Sequence, residues 1–110
     1  MTQKMKQQDL DNLINLCKKG NQKAFAQIIA EYQQIIFSVT FRLLCNEEDA
    51  KDAVQETFIK VWLNINKYDK SKKFITWLYT IAINHCYDKI KIQKPSRFDE
   101  KLIEYFIASD

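Results

Sequence analysis

A chain of 110 residues with one glycine, one proline and 46% hydrophobic residues has room for a single core and almost no turn chemistry, which points to one all-α domain. Its three cysteines (Cys17, Cys45 and Cys86) are far apart and lack Cys-x-x-Cys spacing, so reduced, partly buried thiols are expected rather than a disulfide framework. No apolar run is long enough to span a bilayer and the polar start lacks a signal peptide's apolar segment, so the expectation is a cytoplasmic protein without membrane insertion.

In chain order the periodicity predicts a bundle of four, or five, helices. Asp9 to Lys19 places Leu10, Leu13, Ile14 and Cys17 on one face and is stopped by Gly20, so residues 1–20 read as a short helix packing on the domain. Asn21 caps a helix expected over Gln22 to Cys45. Its broad stripe (Ala24, Phe25, Ile28, Ile29, Tyr32, Ile35, Ile36, Val39, Leu43 and Leu44) suits the centre of a bundle.

Residues 46–66 form the next predicted helix. Asn46 is its N-cap, and Glu47, Glu48 and Asp49 set negative charge on the positive end of the helix dipole. At about 100° per residue, Ala50, Ala53, Val54, Thr57, Phe58, Val61 and Ile65 share a core stripe. A second face carries Asp52, Gln55, Glu56, Ile59 and Leu63, spaced i, i+3, i+4, i+7 and i+11. Burying Ile59 or Leu63 is worth roughly 1.5–3 kcal/mol, so another surface is expected to cover them. Two occupants fit: another helix of the same domain, or a partner protein receiving apolar anchors within a polar rim.

A polar, lysine-rich loop at 67–73 leads into a helix expected from Phe74 to about Gln93, ahead of Pro95. Phe74, Trp77, Leu78, Ile81, Ala82 and His85 form its core stripe; Thr76, Tyr79, Thr80, Ile83, Asn84, Tyr87, Lys91 and Lys94 fall on its other sides. Phe98 to Asp110 shows a weak helical pattern in Leu102, Ile103, Phe106 and Ile107.

The modest net charge of +3 hides segregation. Residues 46–57 hold one basic residue against five acidic ones, whereas 58–97 hold nine basic against two acidic. Two partners follow: one polyanionic, one meeting a carboxylate-bearing face. Lys67, Lys70, Lys72 and Lys73, with Lys89, Lys91, Lys94 and Arg97, bracket Tyr79, Thr80, Asn84 and Tyr87. Lysines suit phosphates, asparagine a base edge and tyrosine an unpaired base, although a solvated lysine-rich face fits the same pattern. No Gly-rich phosphate loop, nucleophile–base pair or metal-ligand spacing is present, so neither catalysis nor a cofactor is expected. Cys45, His85 and Cys86 make a poor metal site because adjacent helical residues diverge by about 100°. His85 reads as a hydrogen-bonded core histidine. On residues alone, a general single-strand nucleic-acid-binding module and a protein-only helical adaptor both remain open.

Two stretches carry a family resemblance. Asp49 to Trp62 (Asp-Ala-Lys-Asp-Ala-Val-Gln-Glu-Thr-Phe-Ile-Lys-Val-Trp) resembles the region 2 helix of extracytoplasmic-function (ECF) sigma factors of the sigma-70 family, patterned Asp-Ala-Glu-Asp-x-x-Gln-Glu-x-Phe-x-x-x-Trp. Phe74 to Asp88 is similar to the family's Phe-x-x-Trp-Leu-x-x-Ile-Ala-x-Asn-x-x-x-Asp, and Ala24, Phe25 and Tyr32 match its opening positions. The resemblance implies a sigma region 2 core over residues 21–94. It implies that helix 46–66 docks on the β′ coiled coil of core RNA polymerase through Asp52, Gln55 and Glu56. Ile59 and Leu63 are added as apolar anchors from their periodicity. It further implies that loop and helix 67–94 open and read the promoter −10 element, flipping a non-template base into a pocket formed by the loop and the start of the next helix. Asn84 matches a reading position. Thr80 and Tyr87 join it as candidate DNA contacts, and Lys70, Lys72, Lys73, Lys89 and Lys91 would hold the displaced strand. An anti-sigma factor is implied as a further partner.

There are departures. Lys51 stands where the family usually has Glu, and Lys91 replaces an Arg, which removes bidentate phosphate contacts there. The family also continues through a linker, here expected to begin in 95–110, into a region 4 helix-turn-helix domain with no counterpart in this sequence. The sequence is therefore expected to be an excised domain.

Overall fold

Residues 5–90 and 107–108 are described by the structure, a computed structural model. Residues 5–90 contain α1 (Gln7–Lys18), α2 (Gln22–Leu44), α3 (Glu47–Asn64), a 3-10 turn (Ile65–Lys67) and α4 (Phe74–Ile90). The expected C-terminal helical pattern lies outside the described residues except at Ile107, which packs against α2 and α4 side chains. The candidate contact Lys91, and the expected end of the last helix near Gln93, also lie outside them.

Each boundary has a local cause. Gly20, at φ 88°, adopts the left-handed conformation that ends α1. The Asn21 side chain then accepts a hydrogen bond from the Ala24 N–H at 2.9 Å, and Asn46 does the same for Asp49 at 2.9 Å. Each satisfies one orphan donor of a helix start. Between α2 and α3 the left-handed position falls on a cysteine, Cys45 at φ 56°, whose N–H donates to the Phe41 carbonyl at 2.8 Å.

α2 is the hub and packs on α1, α3 and α4, while α3 and α4 also pack on each other. The main core joins Leu10, Ile14 and Cys17 of α1, Ala24, Ile28 and Ile36 of α2, Phe58 and Val61 of α3, Ile65, Tyr68, and Phe74, Leu78 and Ala82 of α4. Buried threonines are satisfied within it: the Thr57 hydroxyl donates to the Ala53 carbonyl at 2.7 Å, and the Thr40 hydroxyl lies 3.1 Å from both the Phe37 and Ala50 carbonyls. The latter contact ties α2 to the first turn of α3.

α4 departs from the expected pattern. Tyr79 and Ile83, read above as outward, are buried with Val39 in a second cluster flanked by Ile35, Leu43, Ile75 and Tyr87. A helix packed on both α2 and α3 buries an arc wider than one stripe. Tyr79 is therefore withdrawn as a base-stacking candidate. The linking segment is also less polar than expected, because Tyr68 is buried. Its ring meets Phe74 edge-on (5.4 Å between centroids) and Trp77 at 5.2 Å, and its hydroxyl donates to the Lys72 carbonyl. The Lys18 ammonium donates to the Tyr68 carbonyl at 3.1 Å. Among the described residues no helix is long and apolar enough to cross a membrane.

Candidate functional site

α3 presents two different surfaces, and the five residues of its predicted second face divide between them. All five are exposed, Ile59 by 51% and Leu63 by 72%. Among the described residues no helix covers them, so none of α1, α2 and α4 is the occupant within the domain that the periodicity allowed. Gln55, Ile59 and Leu63 border an open groove of about 590 Å³ between α2 and α3. Its floor and far wall come from Phe25 and Ile29 of α2 with Phe58 and Trp62 of α3. The Phe25 ring lies 4.9 Å from Trp62 and 6.4 Å from Phe58, so the apolar wall is a packed aromatic unit. Asp52 and Glu56, with Gln55 again, border a separate cavity alongside Lys60, His85, Asp88 and Lys89.

The sequence reading missed the α2 half of this groove. Phe25 and Ile29 belong to the predicted core stripe of their helix, and nothing in a stripe tells which members lie at its margin. Both are half-buried.

On the other side of α3, a cavity of about 230 Å³ opens between the helix end and α4. Lys60 and Asn64 of α3, Lys67 of the 3-10 turn, and Trp77, Ile81, Asn84 and His85 of α4 line it. Of the described members of the predicted DNA-contacting set, Asn84 alone borders this cavity. Thr80 lies on the adjoining half-exposed arc, its hydroxyl donating to the Thr76 carbonyl at 2.8 Å. Tyr87 packs against the second cluster. Lys70, Lys72, Lys73 and Lys89 are exposed, the first three in the linking loop. That loop is a tight turn: the Asp69 carboxylate accepts from the Ser71 N–H (3.0 Å) and hydroxyl (2.7 Å), and these hydrogen bonds hold its pKa below the usual carboxylate value. Of the loop expected at 67–73, Lys67 lines this cavity, together with Lys60 and Asn64 from the polar end of α3 and Trp77 from the first turns of α4. Lys60, Asn64 and Lys67 follow i, i+4 and i+7, so the signal was present in the sequence as a polar stripe. Trp77, expected in the core, packs on Phe74 and Tyr68 but also lines the cavity.

His85 joins the two helices: its Nδ1 lies 2.9 Å from the Lys60 Nζ. Burial, with Lys60 next in weight, pushes the imidazole pKa below its ordinary value. Burial also raises the Cys86 thiol to about 11 and the Cys17 thiol in the same direction, which keeps both un-ionised and unreactive. Among the described residues no cluster of metal-ligating side chains is present.

Comparison with known proteins places these surfaces in context. Residues 28–96 match the family model for sigma-70 region 2. The chain is 42% identical over 85 residues to the ECF RNA polymerase sigma factor SigW of Bacillus subtilis, covering 77% of this chain and 46% of the relative. It is 34% identical over 94 residues to the ECF RNA polymerase sigma-E factor of Escherichia coli K12, covering 84% and 49%. The chain thus spans about half the length of the curated relatives it matches. Among solved structures it is similar to an engineered region 2 of sigmaE in complex with GTAAAA (34% identity, TM-score 0.71, covering 83% of this chain and 92% of that one). It is also similar to CnrH in complex with the cytosolic domain of CnrY (25% identity, TM-score 0.69, covering 88% and 63%).

Proposed function

This chain belongs to the sigma-70 region 2 family, of the ECF type, and on that premise we propose that it binds core RNA polymerase through α3 and recognises and melts the promoter −10 element through α4. The observation that carries the reading is the uncovered apolar edge of α3. Ile59 and Leu63 stand exposed beside an aromatic-walled groove, in line with Gln55 and a carboxylate rim of Asp52 and Glu56. Such a surface suits a helical partner with apolar anchors and basic flanks, as the β′ coiled coil is proposed to supply.

The DNA side is proposed to be the cavity at Asn84. It holds about 230 Å³ and offers an asparagine for a base edge, apolar surface from Trp77 and Ile81, and two lysines. Unstacking a base costs a few kcal/mol, and a cavity that takes the flipped base offsets part of that. Lys70, Lys72, Lys73 and Lys89 are proposed to follow the displaced strand by its phosphates. The engineered relative bound to GTAAAA supports this assignment by likeness. A protein antagonist of the anti-sigma kind is a third proposed partner, supported by the relative solved with a cytosolic protein domain. The work of the domain is binding and strand opening, with the chemistry left to the polymerase. Family membership weighs against a general single-strand module or a protein-only adaptor.

Capture of core polymerase by this chain tests the reading. Native chain and a Gln55→Ala/Ile59→Ala variant, matched in helicity by circular dichroism, are compared on immobilised core enzyme. The expected result is capture by the native chain and loss in the variant. Equal capture by both would remove the α3 edge from the interface.

A further inference from the structure

Lys60 and His85 stand between the two cavities of α3 and α4, and both residues line both of them. The Lys60 ammonium can only donate, so at 2.9 Å the His85 Nδ1 must accept, which fixes the ring as the tautomer protonated on Nε2. That Nε2 is buried and has no hydrogen-bond partner. The ring is thus anchored by packing and by its one contact with Lys60, and it holds the ammonium in turn. Lys60 is half-buried, and with its head fixed by a neutral acceptor it presents two further N–H donors.

Charge decides which cavity that head serves. Three carboxylates, Asp52, Glu56 and Asp88, line the cavity on the α3 acidic side. Among the described residues the Asn84 cavity has none: its charged lining is Lys60 and Lys67. A polyanion entering there meets two ammonium groups and, among the described residues, no carboxylate.

We propose that Lys60 is a phosphate contact for a single nucleic-acid strand lying over the Asn84 cavity, and that His85 is the positioning residue that fixes the Lys60 ammonium for it. The proposal rests on the single-strand reading of that cavity and adds two residues from outside the predicted DNA-contacting set. It also gives α3 a direct share in strand binding, about 100° round the helix from the Ile59 edge.

Binding of a labelled pool of random-sequence single-stranded DNA hexamers, followed by fluorescence anisotropy over a salt series, tests it. Lys60→Gln is expected to weaken binding and to reduce the slope of log K against log salt by about 0.7, the share of one phosphate on a single strand. Lys60→Arg keeps the slope. His85→Leu reproduces the loss and adds nothing in the Lys60→Gln background, while His85→Asn, which retains a short acceptor, restores most of the binding. Should His85→Leu fail to fold, the two Lys60 variants and His85→Asn carry the test. An unchanged slope in Lys60→Gln, with Asn84→Ala weakening binding, overturns the proposal and leaves the single-strand reading standing. A Lys60→Gln loss with no effect of either His85 variant overturns the positioning role. Native chain that fails to bind the pool overturns reading and proposal together.

Discussion

The two cavities beside α3 draw on neighbouring positions of one helix, Ile59 and Leu63 for one and Lys60 and Asn64 for the other, yet they differ in size, polarity and charge. The groove against α2 is wide and apolar, rimmed by exposed Ile59 and Leu63. The cavity against α4 is less than half that volume, and an asparagine pair and two lysines supply its polarity. A protein partner contributes area and a few anchors, so a broad groove with aromatic walls serves it. A nucleic-acid strand contributes charge and one base at a time, so a small cationic cavity serves it. On the proposed reading one helix meets both, because its core stripe, from Ala50 to Ile65, is narrow enough to leave two flanks free among the described residues.

The comparison breaks most completely if the shared stripe is removed. Phe58 is 4% exposed, packs in the main core and meets Phe25 edge-on at the groove. Phe58→Ala is expected to cost about 3–5 kcal/mol in a denaturant titration, and to abolish polymerase capture and strand binding together. Retention of strand binding at native stability would mean that the two sides are built independently.

Leu63→Ser sharpens it instead. This side chain is 72% exposed, so folding stability should change by no more than about 0.5 kcal/mol. As an anchor at an interface it is expected to cost about 1–2 kcal/mol of polymerase affinity, measured by competition against the native chain. Strand binding should be unaltered. A comparable loss on both sides would show that the groove and the cavity are coupled.

Much of this was legible in the sequence because it is local. Asn21 and Asn46 announce their helices as side-chain caps, and Gly20 announces a stop; both depend on neighbours within three or four residues. The exposed edge of Ile59 and Leu63 was legible for the same reason, as a period on one helix. The rest depends on where another helix lies. Tyr79 and Ile83 are buried because α4 touches two neighbours at once, and Phe25 becomes a groove wall only when α3 stops short of covering it. Lys60 and His85 are 25 residues apart and meet through space. Cys45 belongs to neither class: a left-handed cap is ordinarily glycine, and no periodicity marks a cysteine for it. Cys45→Gly is expected to stabilise the fold by about 0.5–1 kcal/mol, visible as a raised thermal midpoint, without touching either surface.

The smallest effect expected is also the most specific to the α3–α4 side. Burial and the neighbouring Lys60 disfavour the charged imidazole, so the folded-state pKa of His85 lies below the ordinary 6.5. The unfolded chain then binds the proton more readily than the folded one. Stability from this group is therefore complete above about pH 6.5 and is lost as pH falls from there towards the folded-state value. Glu56 and Asp88 oppose the shift and Lys89 reinforces it, which leaves the direction unchanged. Denaturant titrations of the native chain and His85→Asn between pH 7.5 and 5 isolate it. The native chain should lose stability relative to the variant across that window, since asparagine keeps an acceptor for Lys60 but does not titrate. The thiols cannot mimic the effect, because burial moves Cys17 and Cys86 further above this range. Parallel curves would mean that the imidazole is as easily protonated in the fold as outside it. In that case the Lys60 ammonium is not held at His85, and the cationic cavity loses the feature that distinguishes it from a solvated lysine face.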